Sequence, residues 1–179
     1  MKLRTDWIYW IAGAAIVAIV LAVYFRGSNT SQLAGPASLA GHPAPSFPAT
    51  TLTGTQSGLD AYRGRIVVMN LWASWCPPCR AEMPDLQRLY QAYRSRNVVV
   101  IGVDQGESAE RVGAFARSLD IHYPILLDQQ QQYGRVYAAL GLPTTIVIDP
   151  RGTVVRGFDG ALSYPQMVSA ISPLLGKRS

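Results

Sequence analysis

The sequence predicts an α/β domain with a mixed central sheet and helices on both faces, behind a single N-terminal transmembrane helix. Residues 7–25 contain 18 apolar residues in 19 positions, which is typical of a membrane span. Beyond residue 46, short β-rich apolar runs alternate with segments of helical periodicity, the usual pattern of an α/β domain. The two cysteines of the chain lie just after the apolar run at 66–72, where a predicted helix begins.

The composition excludes several classes of protein. Hydrophobic residues make up 49% of the 179 residues and charged residues 15%. The charged share is below the usual value of about 25%, so a disordered, highly charged chain is excluded. Two cysteines exclude a multiply cross-linked secreted scaffold and a four-thiolate metal site. The arginines are scattered without an aromatic stripe, which argues against nucleic-acid binding.

The apolar run at 7–25 predicts an uncleaved membrane anchor. As a helix it would be about 28 Å long, close to the thickness of a bilayer core. Lys2 and Arg4 precede it, and no charged residue occurs between Gly27 and Leu59, so the positive-inside rule places residues 1–6 in the cytoplasm. A cleaved signal peptide is the competing interpretation, but its apolar region normally has about 7–15 residues with a cleavage site close behind.

The chain after the anchor divides by composition. Residues 26–46 are rich in Gly, Ala, Pro and Ser and carry no charge after Arg26, which predicts a flexible linker. Residues 47–175 then form the α/β domain, and residues 176–179 form a tail. The elements of the α/β domain are predicted in the order β-β-α-β-α-β-α-β-β-α. They include a hairpin at 47–59, strands at 66–72, 98–103 and 125–127, and a second hairpin at 144–158.

Helical periodicity and capping residues place the helices. The first follows the cysteines to Arg94, and the second begins after Ser108, a good N-cap residue. Ser163 and Gln166 have the spacing of a capping box at the start of the last helix. The third helix is predicted from Asp128 to Gly141, with an inward stripe at Tyr133, Val136, Tyr137 and Leu140.

The segment Cys76-Pro77-Pro78-Cys79 predicts a redox-active pair. If Cys76 is the N-cap of the helix, its sulfur faces the positive end of the helix dipole, which favours the thiolate. The two prolines carry no N–H, so the N–H of Cys79 is the nearest donor left for that thiolate. We expect Cys76 to be the exposed attacking sulfur and Cys79 the inward, resolving one.

Other interpretations of the cysteines have weaker support. A structural disulfide across four residues would stabilise the fold little through chain entropy. Zinc would need two further ligands, and the chain has only two histidines, His42 and His122. Haem attachment needs a histidine where Arg80 stands. The proline and the hydroxyl residue of a peroxidase motif are replaced by Met69 and Ala73.

Residues 72–84 (WASWCPPCRAEMP) resemble the active-site signature of membrane-anchored thioredoxin-like proteins of the TlpA/ResA/DsbE group. The resemblance covers about residues 42–175 and includes Tyr62–Asn70 and Gly141–Thr145. It implies a thioredoxin-like fold with an N-terminal β-hairpin and a central α/β insertion at about 107–127. One departure is Asn70, which stands where ordinary thioredoxins carry a buried aspartate.

The resemblance also implies roles for residues around the pair. Pro143 is expected to be a cis-proline facing the cysteines, with Leu142 presenting its backbone to an extended substrate. Glu82 is either an acid/base near the pair or a solvated carboxylate on the helix dipole. Trp75, Pro77 and Pro78 are also expected to contact the substrate.

The function implied is disulfide reduction outside the cytoplasm, with the domain anchored to the bacterial inner membrane and no cofactor. The group suggests protein substrates such as apocytochrome c or copper-site assembly proteins, and a membrane electron donor of the DsbD/CcdA type. Two alternatives stay open: a Cu(I)-binding, metallochaperone-like module that uses the same dithiol, and a peroxiredoxin-like peroxidase.

Overall fold

The computed structural model describes residues 35–176, together with Ala15 and Val17. The chain divides into two units, residues 1–33 and residues 34–179. The predicted anchor at 7–25 lies outside the described residues except for Ala15 and Val17. In the described part of the chain, no helix has both the length and the apolar composition that a bilayer crossing requires.

The second unit is built on a seven-stranded mixed sheet. Its strand order is β2-β1-β5-β4-β3-β6-β7. Strands β3, β4 and β5 are parallel to one another, and the remaining neighbours pair antiparallel. The strands are β1 Ala49–Thr51, β2 Gln56–Ser57, β3 Ile66–Trp72, β4 Val98–Asp104, β5 Ile125–Leu127, β6 Thr144–Ile148 and β7 Val154–Asp159. The predicted mixed sheet with an N-terminal hairpin is therefore confirmed.

Helices cover both faces of this sheet. Between residues 35 and 176 the α-helices are α1 Pro77–Tyr93, α2 Ala109–Ser118, α3 Gln132–Val136 and α4 Tyr164–Ile171, and short 3-10 turns occur at Pro36–Leu39, Leu59–Tyr62, Arg94–Arg96 and Ser172–Leu174. Helices α1, α2 and α4 share one hydrophobic core. Tyr133 of α3 and the nearby Tyr137 belong to a second core on the opposite face. The helix placement agrees with the α/β prediction.

Strand β3 lies at the centre of the fold. All seven of its residues are buried, because side chains alternate between the two faces and each face is covered. Val68 and Trp72 enter the core under α1, whereas Val67, Met69 and Leu71 enter the opposite core. This strand leads directly into the cysteine segment.

Of the predicted flexible linker at 26–46, the structure describes residues 35–46, and these are ordered. The turn at Pro36–Leu39 packs on β7, and backbone N–H groups of Gly41 and Ala44 donate to Val154 and Gly152, each at 2.8 Å. Tyr137 Oη donates to the Pro45 carbonyl at 2.7 Å. A segment that lacks charge and apolar periodicity is thus held by backbone hydrogen bonds, which composition does not reveal.

The predicted third helix is much shorter than its apolar spacing suggested. Helix α3 has five residues, and the backbone enters the left-handed region at Ala138, with φ of 51°. Leu140 lies beyond the end of the helix and is 58% exposed, and Val136, the last residue of α3, is 39% exposed. The predicted inward stripe is therefore correct for Tyr133 and Tyr137 and wrong for the other two.

The contact between β7 and the turn at Pro36–Leu39 requires a glycine. A Cβ on Gly157 would lie 2.6 Å from Pro36 Cβ, and the backbone of Pro36 is equally close. We expect Gly157→Ala to destabilise the domain by about 1–3 kcal/mol and to lower Tm by roughly 3–10 °C. Gly141→Ala is the control, because a Cβ there meets nothing within 4 Å. Equal Tm values for the two variants in thermal denaturation would contradict this packing.

Candidate active site

Cys76 is the N-cap of α1. A tight turn after β3, in which the Cys76 N–H donates to the Ala73 carbonyl at 3.2 Å, brings the chain to the helix start. Cys76 has extended backbone angles, and Pro77 and Pro78 occupy the first two helical positions. The backbone N–H of Cys79 donates to Cys76 Sγ at 3.3 Å. The sulfur therefore sits at the positive end of the helix, with one N–H directed at it.

Cys76 and Cys79 form a disulfide, with their Cα atoms 5.3 Å apart. Cys76 is 3% exposed and Cys79 is 1% exposed. The expectation that Cys76 is exposed is therefore wrong for the oxidised pair. Both cysteines belong to the core under α1. The asymmetry that remains is positional, because only Cys76 caps the helix.

The segment before β6 lies at the same end of the sheet as the cysteines. Strand β6 runs antiparallel to β3 and pairs Thr144 with Leu71. The start of β6 therefore lies beside the end of β3, the strand that leads to Cys76. The Leu142–Pro143 peptide bond is cis. Thr144 Oγ1 donates to the Gly141 carbonyl at 2.8 Å, which fixes the segment around that bond. The contact of Leu142 and Pro143 with a substrate stays a prediction.

An open cleft borders this end of the sheet. It has a volume of about 310 Å³, and Trp75 and Leu142 line it together with Arg135. Trp75 is 63% exposed, and Pro77 and Pro78 are also exposed. Within residues 35–176, the exposed large apolar side chains are Trp75, Val136 and Leu140, which all lie in or next to the segments lining the cleft. Apolar surface is thus concentrated beside the cysteines.

Glu82 is buried one helical turn after Cys79. It is 3% exposed, so the alternative of a solvated carboxylate is wrong. The Leu162 N–H donates to its Oε1 at 2.9 Å, and Asn70 Nδ2 donates to its Oε2 at 3.2 Å. Burial raises the pKa of Glu82 to about 7, although both hydrogen bonds act against the rise. A carboxyl group with such a pKa can take up and release a proton near neutral pH.

Asn70 links Glu82 to the start of β6. Its Nδ2 also donates to Thr145 Oγ1 at 3.0 Å, and within the described part of the chain its Oδ1 has no hydrogen-bond partner. Asparagine cannot take a proton, so the ionisable group in this position of the core is Glu82.

A pair of buried carboxyl groups also contacts the cysteine segment, and no sequence motif predicted it. Asp104 ends β4 and is fully buried, and Glu107 follows three residues later with 8% exposure. Glu107 accepts hydrogen bonds from Ser74, two residues before Cys76. The signal in the sequence was slight: two acids beside Gly106 after a buried strand. Among the described residues, no cluster of His, Cys, Asp and Glu could hold a metal ion.

The raised pKa of Glu82 predicts how stability changes with pH. The folded protein holds this proton more tightly than the unfolded chain, whose glutamate has a pKa near 4.5, so the free energy of unfolding falls as pH rises from 4.5 to about 7. We expect Glu82→Gln to reduce this fall by roughly 3 kcal/mol, measured by urea denaturation of the oxidised protein. Glu110→Gln, at an exposed position, is the control. An unchanged fall in Glu82→Gln would contradict the assignment.

Comparison with known proteins places the chain in a family. The AhpC/TSA family matches residues 40–156. The thiol-disulfide oxidoreductase ResA of Geobacillus thermodenitrificans is 36% identical over 136 residues, which cover 74% of this chain and 78% of that protein. The thioredoxin-like protein YneN of Bacillus subtilis is 32% identical over 163 residues, covering 88% of this chain and 94% of that one.

Solved structures agree with this assignment. A putative thiol:disulfide interchange protein DsbE from Chlorobium tepidum superposes with a TM-score of 0.70 at 26% identity, covering 75% of this chain and 96% of that one. Together with the N-capping Cys76 and its disulfide to Cys79, these similarities identify both fold and chemistry. The chain belongs to the AhpC/TSA family, as a thioredoxin-like thiol-disulfide oxidoreductase of the TlpA/ResA/DsbE type.

Proposed function

We propose that this oxidoreductase works as a protein-disulfide reductase outside the cytoplasm. The observation that carries the proposal is the helix cap: the Cys76 sulfur accepts one N–H, from Cys79, while the two intervening residues are prolines without an N–H. A thiolate with few donors is stabilised less, and a pair whose thiolate is stabilised less is more reducing.

The reaction begins with the reduced pair. The Cys76 thiolate attacks one sulfur of a substrate disulfide, the substrate S–S bond breaks, and the released substrate sulfur takes up a proton. A mixed disulfide then joins Cys76 to the substrate. The Cys79 thiolate attacks the Cys76 sulfur, which frees the second substrate thiol and leaves the Cys76–Cys79 disulfide seen here. The substrate gains two electrons and the pair loses two.

Glu82 is suited to serve the second step. It lies three residues after Cys79, on the same side of α1, and both residues are buried. Cys79 must lose its proton before it attacks, and bulk water has little access to it. A carboxylate with a pKa of about 7 accepts that proton at neutral pH and returns it when the pair is reduced again.

The cleft beside the pair is the proposed place for the substrate chain. Trp75 offers an exposed aromatic surface, and Leu142, before the cis bond, offers backbone groups to an extended polypeptide. Pro77 and Pro78 are exposed at the helix start, where a mixed disulfide at Cys76 would emerge. Apocytochrome c and copper-site assembly proteins are candidate substrates, since each must present reduced cysteines for its metal or haem.

The proposed location is the periplasmic side of the bacterial inner membrane, with residues 7–25 as the anchor. The charge pattern of the sequence supports this location: basic residues precede the apolar run, and a long uncharged segment follows. A membrane electron donor of the DsbD/CcdA type would then re-reduce the pair. Because the cysteines form a disulfide, the protein in intact spheroplasts is first reduced with a phosphine and Cys76 is then labelled with a membrane-impermeant maleimide. Labelling that appears only after the cells are lysed would contradict this location.

The direction of electron transfer predicts the reduction potential of the pair. We expect a value nearer to about −270 mV, as in thioredoxin, than to about −120 mV, as in the oxidant DsbA. Equilibration with defined dithiothreitol redox buffers, followed by alkylation of free thiols, measures it. A potential near that of DsbA would overturn the reductase assignment while leaving the oxidoreductase chemistry in place.

The mixed-disulfide mechanism predicts opposite behaviour for the two cysteine variants. Cys76→Ser is expected to lose disulfide reductase activity entirely, because the attacking sulfur is gone. Cys79→Ser is expected to lose turnover but to accumulate a covalent complex with substrate, since nothing resolves the mixed disulfide. Non-reducing electrophoresis of each variant after mixing with a disulfide-bonded protein detects the complex. A complex formed equally by both variants would refute the assigned order of attack.

A further inference from the structure

The Glu107 carboxylate accepts two hydrogen bonds from Ser74, one from the hydroxyl and one from the backbone N–H. Ser74 Oγ donates to Glu107 Oε1 at 2.6 Å, and the Ser74 backbone N–H donates to Oε2. A carboxylate that accepts from the hydroxyl and the backbone of one residue fixes both its side chain and its peptide plane. Ser74 belongs to the short connection between β3 and α1, so this grip acts on the segment that ends at Cys76.

Asp104 holds Glu107 in place from the end of β4. Its Oδ1 accepts the Glu107 N–H at 2.8 Å, while Oδ2 has no partner among the described residues although the side chain is fully buried. A buried charged oxygen without a partner is costly, and a proton on it provides a donor toward the adjacent Glu107 carboxylate. Burial accordingly raises the pKa of Asp104 to about 7.

Other charged groups around the pair favour the same arrangement. Arg111 of α2 lies with its Nε 3.1 Å from Glu107 Oε1 and stabilises the Glu107 charge. Asp128, which follows β5, adds negative charge that raises the pKa of Asp104 further. Burial acts to raise the pKa of Glu107, but the hydrogen bonds from Ser74 hold it below its usual value. When the pair holds one proton, that proton therefore resides on Asp104 and the charge on Glu107.

We propose that Glu107 is a positioning residue for disulfide exchange, which holds Ser74 and through it Cys76, and which is kept in place by a proton shared with Asp104. The inference rests on the proposed function only in assigning exchange to Cys76. When Asp104 is protonated, its O–H donates to Glu107, and Glu107 keeps both hydrogen bonds to Ser74. When Asp104 is ionised, the two buried carboxylates repel each other and the hydrogen bonds to Ser74 weaken.

The test measures Cys76 reactivity directly. Full-length Cys79→Ser protein has a single thiol, that of Cys76. Its second-order rate constant with the neutral disulfide 2,2′-dithiodipyridine is measured from the absorbance at 343 nm. At pH 7 we expect Glu107→Gln and Ser74→Ala each to lower this rate at least threefold. The double variant should be no slower than the slower single variant, since Ser74→Ala removes one of the two hydrogen bonds that Glu107→Gln already weakens. Glu110→Gln, which removes a charge from the exposed start of α2, should stay within 1.5-fold.

The outcomes separate positioning from stability. Urea denaturation is run on every variant, and a Glu107→Gln protein that is less stable but reacts at the unsubstituted rate overturns the proposal. Rate losses that multiply in the double variant also overturn it. If Glu107→Gln does not fold, Ser74→Ala decides alone, and an unchanged rate in that variant is fatal. Because the reagent reacts with any accessible thiol, these results do not depend on whether the protein reduces protein disulfides.

A second variant tests the shared proton. Asp104→Asn keeps the acceptor for the Glu107 N–H and supplies a permanent N–H donor toward the Glu107 carboxylate, as protonated Asp104 does. We expect the Asp104→Asn rate to match the parent at pH 6 and to exceed it at least twofold at pH 8.5, where the parent pair carries two charges. Comparison at one pH cancels the titration of Glu82. Equal rates at pH 8.5 would show that the pair shares no proton and would overturn that part of the proposal.

Discussion

The hydrogen bond from the Cys79 N–H to Cys76 Sγ depends on the start of α1 being held at the end of β3. That position is held from two sides. Strand β3 is buried along its whole length, and the inner side of α1, with Met83, Leu86 and Leu89, is buried in the core on one face of the sheet. A slip of the helix by one turn would expose these side chains and remove the sulfur from the helix end. The chemistry of the cysteine pair is therefore secured by hydrophobic packing.

Two buried carboxyl systems approach the cysteine segment from different elements. Glu82 reaches it along α1 and contacts β3 through Asn70, while Glu107 reaches it from the end of β4 through Ser74. In both systems, desolvation raises a carboxyl pKa to about 7. The site thus contains buried groups that exchange protons near neutral pH, which a reaction that releases and takes up thiol protons can use. The chain has few charged residues, and several of them are placed here.

Local signals predicted those features that depend on short-range geometry. Cys76 is the N-cap because two prolines suit the first helical turn, and Ser108 caps α2 by accepting the Arg111 N–H at 3.3 Å. The hairpin predicted at 144–158 is formed by β6 and β7. The shortness of α3 did not follow from its apolar spacing. Its start is set by Asp128, which accepts N–H groups of two later residues, and its end by the left-handed backbone at Ala138.

The sequence by itself determined the class of fold and the cysteine pair, with Cys76 as the N-cap of α1, since each depends on periodicity or on neighbours within one helical turn. Only the tertiary structure decided the state of the carboxyl groups. The sequence left open whether Glu82 is an acid/base near the pair or a solvated carboxylate, and its contacts with Leu162 and Asn70 show that it is buried. Glu107 reads as a loop acid until the parallel pairing of β3 with β4 places it beside Ser74. Burial and hydrogen bonding between distant segments set a pKa, and no local pattern encodes them.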